Sequence, residues 1–299
     1  MEKNRSKVGG KDKKQKRKEE LAKKKTLDDL LKVAYAKENI LAEFPAFLKY
    51  ERNGLNLTIE YGTGESLSSS MKDYIMKLCT VNMEGPFGDE WPQEQKNKRR
   101  EMVSQAARYI ILRQTNGSQV NAENEAQALE SKSTEQKQQS LWTGEGDPVV
   151  AFVQFRFMID HDVPVLYVYE LQLESCVQRK GLGKFLMQFC ELIGRKNQMK
   201  GVMLTVQKKN VGAMNFYTSK LRYSISAVSP SKWDPMIGSD ASYEILCKTF
   251  DAEAKAILEM TIFPVVSSTF LNRPEALLCV KAESGLGLDA TGYDILLTD

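Results

Sequence analysis

Two glycines, Gly181 and Gly183, stand two positions apart in the segment "CVQRKGLGKF" (176–185). A strand-like run precedes them and an amphipathic helical pattern follows. Such a turn places unpaired backbone N–H groups at a helix N-terminus, where they can bind phosphate oxygens. Glycine has no Cβ and so permits a phosphate to approach the backbone closely. The spacing fits neither the Walker loop nor the dinucleotide fingerprint. The segment is therefore a candidate pyrophosphate site, with a plain tight turn as the alternative.

The strand-like run before the turn, "VLYVYELQL" (165–173), carries side chains suited to acid–base chemistry. In a regular strand Tyr167 and Tyr169 share one face and Glu170 points to the other, because side chains alternate. Taken singly, such tyrosines usually belong to the core and such a glutamate usually faces solvent. We therefore expect the three to share one site only if the strand is bulged or splayed there.

Residue counts exclude several other kinds of site. His161 is the single histidine, which argues against a histidine-based triad and excludes a histidine-rich metal cluster, so no metal is expected. The five cysteines are odd in number and lack CxxC spacing, which favours reduced thiols in the nucleus or cytoplasm. No apolar run approaches the roughly 20 residues that a bilayer-spanning helix needs. We therefore expect no membrane partner.

Positive charge is concentrated at the N-terminus. Residues 1–25 contain 12 Lys and Arg but 4 Asp and Glu, a net charge of +8, whereas the whole chain carries +3. The remainder is therefore acidic and would suit a cationic substrate. We interpret residues 1–25 as a disordered or helical tail that either directs the protein to the nucleus, chromatin or ribosome, or is simply a solvated helix.

The apolar patterns predict one α/β domain over residues 26–251. Thr26–Asp29 is typical of a capping box, so the globular part is expected to begin there. The segments with strand character are 55–61, 107–113, 148–158, 165–173, 202–207, 222–228 and 242–250. Helices are expected around 71–78, over 183–194 and over 211–221, so that 165–173 and 202–207 form a parallel pair joined by a helix. Residues 114–147 are interpreted as a disordered insertion, and 252–299 as a C-terminal extension of unknown structure.

The turn also fits the pattern Q/R-x-x-G-x-G/A through Gln178, Gly181 and Gly183. It resembles the pyrophosphate loop of the GNAT superfamily of N-acetyltransferases, which bind acetyl-coenzyme A. The segments "RNGLNLTIEY", "FRFMIDHDVPVLYVYELQLES", "RKGLGKFL", "VMLTVQKKNVGAMNFY" and "SYEIL" occur in this order. Together they resemble the N-alpha-acetyltransferase D (NatD) family over about residues 40–250. The implied fold is a single GNAT fold: a mixed, mostly antiparallel central sheet, a parallel pair splayed at the acetyl-CoA site, and flanking helices.

The resemblance implies that Glu170 is the general base, with Tyr169 beside it in the catalytic site. An N-terminal amine has a pKa of about 7.7–8.0, and a buried carboxylate could accept its proton directly or through water. The implied substrate-binding residues are Phe87, Trp91, Asp160, Tyr167, Tyr169, Thr205 and Tyr243.

The resemblance also implies a set of acetyl-CoA-binding residues. They are Leu171, Gln172, Leu173, Gln178, Arg179, Lys180, Gly181, Leu182, Gly183, Lys184 and Asn210. Two positions depart from the family pattern and bear on peptide selectivity. Phe87 stands where a tyrosine is expected, and Met158 where the family can have an aspartate. Asp160 is then the nearest carboxylate for an arginine of the substrate.

The expected function is acetyl transfer from acetyl-CoA to the N-terminal serine of histone four and histone two-A, which begin Ser-Gly-Arg-Gly, by a monomeric enzyme. One alternative is a relaxed acetyltransferase that modifies lysine side chains or small amines. Such an enzyme would have a more alkaline pH optimum, because a lysine amine has a pKa near 10.4. The other alternative is a non-catalytic chromatin or ribosome adaptor, which would not bind acetyl-CoA.

Overall fold

The computed structural model describes residues 5–115, 146–233, 235–238 and 240–260. Most of the predicted insertion and residues 261–299 lie outside this part of the chain. The strands are β1 (Lys49–Arg52), β2 (Leu55–Thr63), β3 (Arg108–Gln114), β4 (Val149–Asp160), β5 (Val163–Leu173), β6 (Gly201–Gln207), β7 (Ser224–Ile225) and β8 (Tyr243–Thr249). They form one sheet in the order β1-β2-β3-β4-β5-β6-β8-β7.

Helices cover both faces of this sheet. They are α1 (Arg5–Tyr35), α2 (Ser69–Phe87), α3 (Trp91–Met102), α4 (Leu182–Lys196), α5 (Val211–Asn215) and α6 (Ala252–Leu258). One turn of π-helix, Phe216–Lys220, continues α5, and two single-turn helices, Pro230–Trp233 and Pro235–Gly238, follow β7. One apolar core lies between the sheet and α1 with α4, and two smaller ones lie on the opposite face, under α2 with α3 and beside α6. Within the described residues, no helix is both long and apolar enough to cross a bilayer.

The one parallel pair of the sheet opens partway along its length. β5 and β6 pair only from Val165 with Gly201 to Val168 with Leu204. Beyond that point β5 stays with β4 as far as Leu173, and β6 stays with β8 as far as Gln207. The two strands therefore part at their carboxyl ends, which confirms the predicted mixed α/β sheet with a splayed parallel pair.

Helix α1 differs from the prediction at its N-terminus. The helix is continuous from Arg5 to Tyr35, so Thr26 does not cap a new helix. Its hydroxyl instead donates to the carbonyl of Ala22 (3.0 Å) inside the helix. Most residues from Lys11 to Lys25 are Lys, Arg, Glu or Gln, which are good helix formers, and this extends the helix beyond the capping-box signal. Its last turn is anchored to the sheet, because Tyr35 Oη donates to the carbonyl of Phe157 (2.6 Å).

Two further elements depart from the sequence analysis. The expected strand over 222–228 is reduced to Ser224–Ile225, and Ser226 instead bonds through its backbone N–H to Ile245 and through its hydroxyl to Leu258. Helix α3 was not predicted at all. Among its twelve residues only Trp91 and Met102 are buried apolar side chains, so the helix carries no apolar stripe that a periodicity argument could detect.

Candidate active site

A β-bulge in β5 determines which side chains reach the cleft. Gln154 of β4 pairs with Glu170 and the next residue, Phe155, pairs with Val168, so Tyr169 is an extra residue without a partner in the ladder. Before the bulge Leu166 and Val168 face the core under α4, and beyond it Leu171 and Leu173 do so. The alternation is thus shifted by one residue.

The bulge brings Glu170 to the face occupied by Tyr167. Both line one cavity of about 350 Å³, together with Tyr169, at the point where β5 and β6 part. The sequence-based condition that the strand must be bulged or splayed for these residues to meet is therefore satisfied in both ways. Other walls of the cavity come from α2, the α2–α3 connection, α3, β6 and the segment before β8.

Glu170 is held by two donors. Its side chain is 6% exposed, and its Oε1 contacts the ammonium of Lys98 on α3. Its Oε2 accepts from Nε2 of Gln172 (2.8 Å), whose Oε1 in turn accepts from Nδ2 of Asn82 on α2 (2.9 Å). Both carboxylate oxygens are thus hydrogen-bonded, and each retains acceptor capacity for a further proton donor.

Helix α3 adds charged groups that the sequence analysis did not identify. Glu94, Lys98 and Glu101 of α3 line the cavity, as does Glu90 just before the helix. Burial raises the pKa of both Glu94 and Glu101 above the ordinary glutamate value. The cleft therefore has four carboxylates, counting Glu170, against one ammonium.

Helix α3 is fixed over the sheet by polar contacts at its C-terminal end. Nε2 of Gln154 (3.1 Å) and Nη2 of Arg156 (3.0 Å), both on β4, donate to the carbonyl of Glu101. The guanidinium of Arg156 also lies over the ring of Tyr169, 4.2 Å from its centroid. The helix that carries Lys98 and the bulge that carries Glu170 are therefore tied to the same strand.

Tyrosine and threonine side chains connect the two parted strands. The hydroxyl of Tyr167 on β5 is hydrogen-bonded to the hydroxyl of Thr205 on β6. The ring centroids of Tyr167 and Tyr169 are 5.3 Å apart. On the far side of the cavity Ser242, next to Tyr243, donates its hydroxyl to Oε2 of Glu90 (3.0 Å). This bond joins the α2–α3 connection to the start of β8 across the cleft.

The predicted substrate-binding residues are only partly brought together. Those that line the cavity are Phe87, Tyr167, Tyr169, Thr205 and Tyr243. Trp91 is buried behind Phe87, with its ring centroid 5.8 Å from that of Phe87, and is not part of the lining. Asp160 lies at the end of the β4–β5 hairpin, outside the lining, where its carboxylate bonds Nδ1 of His161 (2.6 Å).

The glycine turn has the geometry that phosphate binding requires. Gly181 has a positive φ of 81°, which favours glycine, and it precedes Leu182, the first residue of α4. The first helical hydrogen bond runs from Phe185 N–H to the carbonyl of Gly181 (3.1 Å). The N–H groups of Leu182, Gly183 and Lys184 precede that bond and form the free end of the helix.

Side chains of the β1–β2 hairpin are hydrogen-bonded to this turn. Tyr50 Oη (3.1 Å) and Asn53 Nδ2 (2.8 Å) both donate to the carbonyl of Lys180. A Cβ on Gly181 would lie 3.5 Å from Asn53 Nδ2 and 3.6 Å from Tyr50 Oη. The hairpin thus fixes the peptide unit immediately before the helix, and with it the direction of the helical N–H groups.

The other predicted acetyl-CoA residues occupy different surroundings. Arg179, Lys180 and Lys184 are exposed, whereas the side chain of Leu182 is buried in the core. Gln178 turns back, and its Nε2 donates to the carbonyl of Leu173 (3.0 Å). Asn210 lines the cavity and also caps α5 by accepting from Ala213 N–H (3.0 Å).

These residues fit a coenzyme A pyrophosphate and a thioester-bearing arm. The free end of α4 and the exposed cations would bind the phosphates, while the parted strands leave the backbone of 171–173 beside an open cleft. No group of three or more His, Cys, Asp and Glu side chains in the described ranges could hold a metal ion.

Comparison with known proteins found a family model and solved structures to which this chain is similar. Residues 86–222 match the acetyltransferase (GNAT) family model. A solved structure of the paiA N-acetyltransferase from Thermoplasma acidophilum, in complex with coenzyme A, is similar at 13% identity over 64% of this chain and 99% of that chain, with a TM-score of 0.40. The NAA60 protein of Arabidopsis thaliana with a bisubstrate analogue is similar at 11% identity over 65% of this chain and 100% of that chain, with a TM-score of 0.39.

Replacing Asn53 by Ala is expected to weaken acetyl-CoA binding about 3- to 10-fold. The change removes one of the two donors to the Lys180 carbonyl, and a single hydrogen bond contributes about 0.5–1.5 kcal/mol. Isothermal titration calorimetry measures the dissociation constant. Asn56→Ala is the matched control, because Asn56 is an exposed asparagine of the same hairpin. Equal affinities of the two variants would contradict the role given to Asn53.

Proposed function

We propose that this chain is an acetyl-CoA-dependent acyltransferase of the GNAT family, whose model it matches over residues 86–222, and that it acetylates the N-terminal α-amino group of histone four and histone two-A. These substrates begin Ser-Gly-Arg-Gly. The sequence segments that resemble the NatD family, the acidic cleft and the arrangement at the β5 bulge support the proposal. The observation that carries it is the meeting of Glu170, Tyr167 and Tyr169 in one cavity where β5 and β6 part.

In the proposed reaction, acetyl-CoA supplies a thioester whose carbonyl carbon accepts the amine. The nitrogen lone pair forms the new C–N bond, the C–S bond breaks, and the sulfur leaves with its electron pair as the coenzyme A thiolate. Glu170 accepts the proton that the nitrogen loses, directly or through one water, because it is the carboxylate at the bulge. Tyr167, Tyr169 and Thr205 orient the N-terminal residue, since they line the same cavity.

One feature of the cleft and one property of the amines support a peptide N-terminus over a lysine side chain as the acceptor. The bond between Ser242 and Glu90 crosses the cavity and limits its width, which suits a small first residue. An N-terminal amine is also close to half deprotonated near pH 8, whereas a lysine amine is almost fully charged there. Glu170, whose carboxylate is already bonded to Lys98 and Gln172, therefore needs to remove a proton from a smaller fraction of an α-amine than of a lysine amine.

The carboxylates of the cleft, rather than Asp160, are proposed to attract the arginine of the peptide. Glu90 and Glu94 line the cavity, while Asp160 lies outside the lining and bonds His161. Met158 packs against the core beside α6 and provides no charge. The acidic residues of the α2–α3 region thus replace the aspartate that is absent at position 158.

The proposed location is the nucleus and cytoplasm, with contact to chromatin or the ribosome through the basic part of α1. Residues 13–25 of this helix are exposed, and residues 1–25 carry a net charge of +8. A fluorescent fusion that lacks residues 1–25 is expected to lose nuclear enrichment, since the cationic segment is gone. Its turnover on a short peptide should be unchanged. Unaltered nuclear enrichment would contradict the role of this segment.

The function is tested with a panel of peptides and labelled acetyl-CoA. We expect transfer to Ser-Gly-Arg-Gly and none to the same peptide with a blocked N-terminus. Changing the peptide's Arg to Ala should raise KM, and Glu94→Gln should make that rise smaller, because one attracting charge is gone. Asp160→Asn is the control and should leave the effect intact. Transfer to lysine side chains of the blocked peptide would favour the relaxed acetyltransferase instead.

Glu170→Gln is expected to lower kcat by ~10²–10⁴-fold, the usual contribution of a general base. Glutamine keeps the shape and accepts hydrogen bonds, so the affinity for acetyl-CoA should change little. The remaining rate should still rise with pH as the substrate amine loses its proton. A pH series of single-turnover rates measures both effects, and a kcat near that of the wild type across the series would show that Glu170 is not the base.

A further inference from the structure

Lys98 and Glu170 form a buried charge pair inside the cleft. The Lys98 side chain is 12% exposed and that of Glu170 is 6% exposed. Besides contacting Glu170, the ammonium of Lys98 lies 5.4 Å from the centroid of the Phe87 ring. Burial alone would lower the pKa of Lys98, but Glu170 together with the other acidic groups nearby outweighs burial and raises that pKa above its ordinary value. Lys98 therefore remains a cation and is not itself a nucleophile.

A contribution to folding stability does not readily explain a buried charge pair at this position. Removing two charges from water costs several kcal/mol each, and apolar residues of similar volume often replace a buried pair without loss. Phe87, which lies next to the ammonium, belongs to the apolar core under α2, so an apolar side chain at position 98 would find apolar neighbours. The pair lines the cleft, which points to a role in what enters it.

We propose that Lys98 is a positioning residue that neutralises Glu170, so that the substrate enters as a neutral amine. This inference rests on the proposed attack by an amine whose proton leaves toward Glu170. An unpaired carboxylate at this site would instead form an ion pair with the substrate's ammonium. Binding would then be tighter, but the bound form would lack the lone pair that attacks the thioester.

The size of this effect follows from the usual influence of a neighbouring charge on a pKa. An opposite charge within about 4–6 Å changes a pKa by about 1–3 units in favour of the charged form. With Lys98 present the ammonium and the carboxylate largely cancel for a third group beside them. Without Lys98 the bound amine would hold its proton to a pH about 1–3 units higher. Near neutral pH this corresponds to a loss of about 10-fold or more in the reactive fraction.

Other titratable groups also surround the pair. Those that face it are Glu94 and Glu101 on α3, Cys79 on α2, Tyr109 on β3, Arg156 on β4 and Tyr217 in the π-helical turn. Burial raises the pKa of Cys79, Tyr109 and Tyr217, which keeps them neutral near pH 8. Lys98 opposes the rise that burial causes in the pKa of Glu94 and Glu101, so both bind protons more readily in Lys98→Met. That change works against a higher midpoint, and an upward shift is therefore due to Glu170.

The test compares the pH dependence of kcat for the wild type, Lys98→Met and Glu170→Gln. Lys98→Met leaves an unpaired carboxylate, so the midpoint of its profile should move to higher pH, with a lower peptide KM at pH 6.5. Glu170→Gln leaves an unpaired ammonium, so its midpoint should move to lower pH. Lys98→Arg keeps the charge and should keep the midpoint. Lys96→Met is the control, because Lys96 is an exposed lysine of the same helix.

A uniform loss of kcat at every pH, with the midpoint unchanged in Lys98→Met, would overturn the proposal and leave Lys98 a structural residue. If Lys98→Met does not fold, the double variant Lys98→Met/Glu170→Gln contains no unpaired buried charge and is compared with Glu170→Gln. Its midpoint should lie at higher pH than that of Glu170→Gln, and equal midpoints would overturn the proposal.

The acceptor in these profiles is whichever amine the wild type acetylates. If the wild type transfers acetyl to lysine amines and not to the Ser-Gly-Arg-Gly peptide, the proposed function fails while the midpoint comparison still decides the role of Lys98. Calorimetric binding of the accepted peptide at pH 6.5 and 8.5 adds a readout without turnover. Affinity should fall with pH in Lys98→Met and not in the wild type.

Discussion

The bulge at Tyr169 reverses the alternation of β5 partway along the strand, and the cleft depends on that reversal. Without the extra residue, Glu170 would face the core under α4, where Leu171 and Leu173 now pack. A charged side chain there would lack the donors that Lys98 and Gln172 provide. β5 can thus direct apolar side chains to the core along its whole length and Glu170 to the cleft only because one residue is left out of the ladder.

The splay of β5 and β6 is the complementary constraint. Where the two strands cease to pair, their backbone groups must find other partners, and an open end of this kind is available to an extended ligand. The free end of α4 lies just beyond the same strand. One continuous segment, from the bulge through the glycine turn, therefore supplies the carboxylate, the exposed backbone and the helix N-terminus. The groups proposed to act on acetyl-CoA are thus concentrated in residues 167–184.

Local patterns predicted this segment well, and long-range effects account for what they missed. The alternation of β5 and the two glycines identify a strand, a turn and a helix, because each signal lies within a few residues. Regular alternation would place Tyr167 and Glu170 on opposite faces of the strand. The bulge that brings them to one face depends on the register between β4 and β5, which a local pattern does not contain. Helix α3 could not be predicted from an apolar pattern, because most of its residues are polar or charged and its burial depends on contact with the sheet. Lys98, on that helix, therefore remained unidentified as a neighbour of Glu170.

The support of the glycine turn by the β1–β2 hairpin has a consequence for the order of folding. The bond between Asn53 and Lys180 joins residues separated by 127 positions, so it closes one of the long loops of the chain. Closing such a loop costs chain entropy and tends to occur late, after local elements have formed. During synthesis the hairpin leaves the ribosome long before its partner. The turn proposed to bind phosphate is then among the last parts of the nascent chain to be fixed in place.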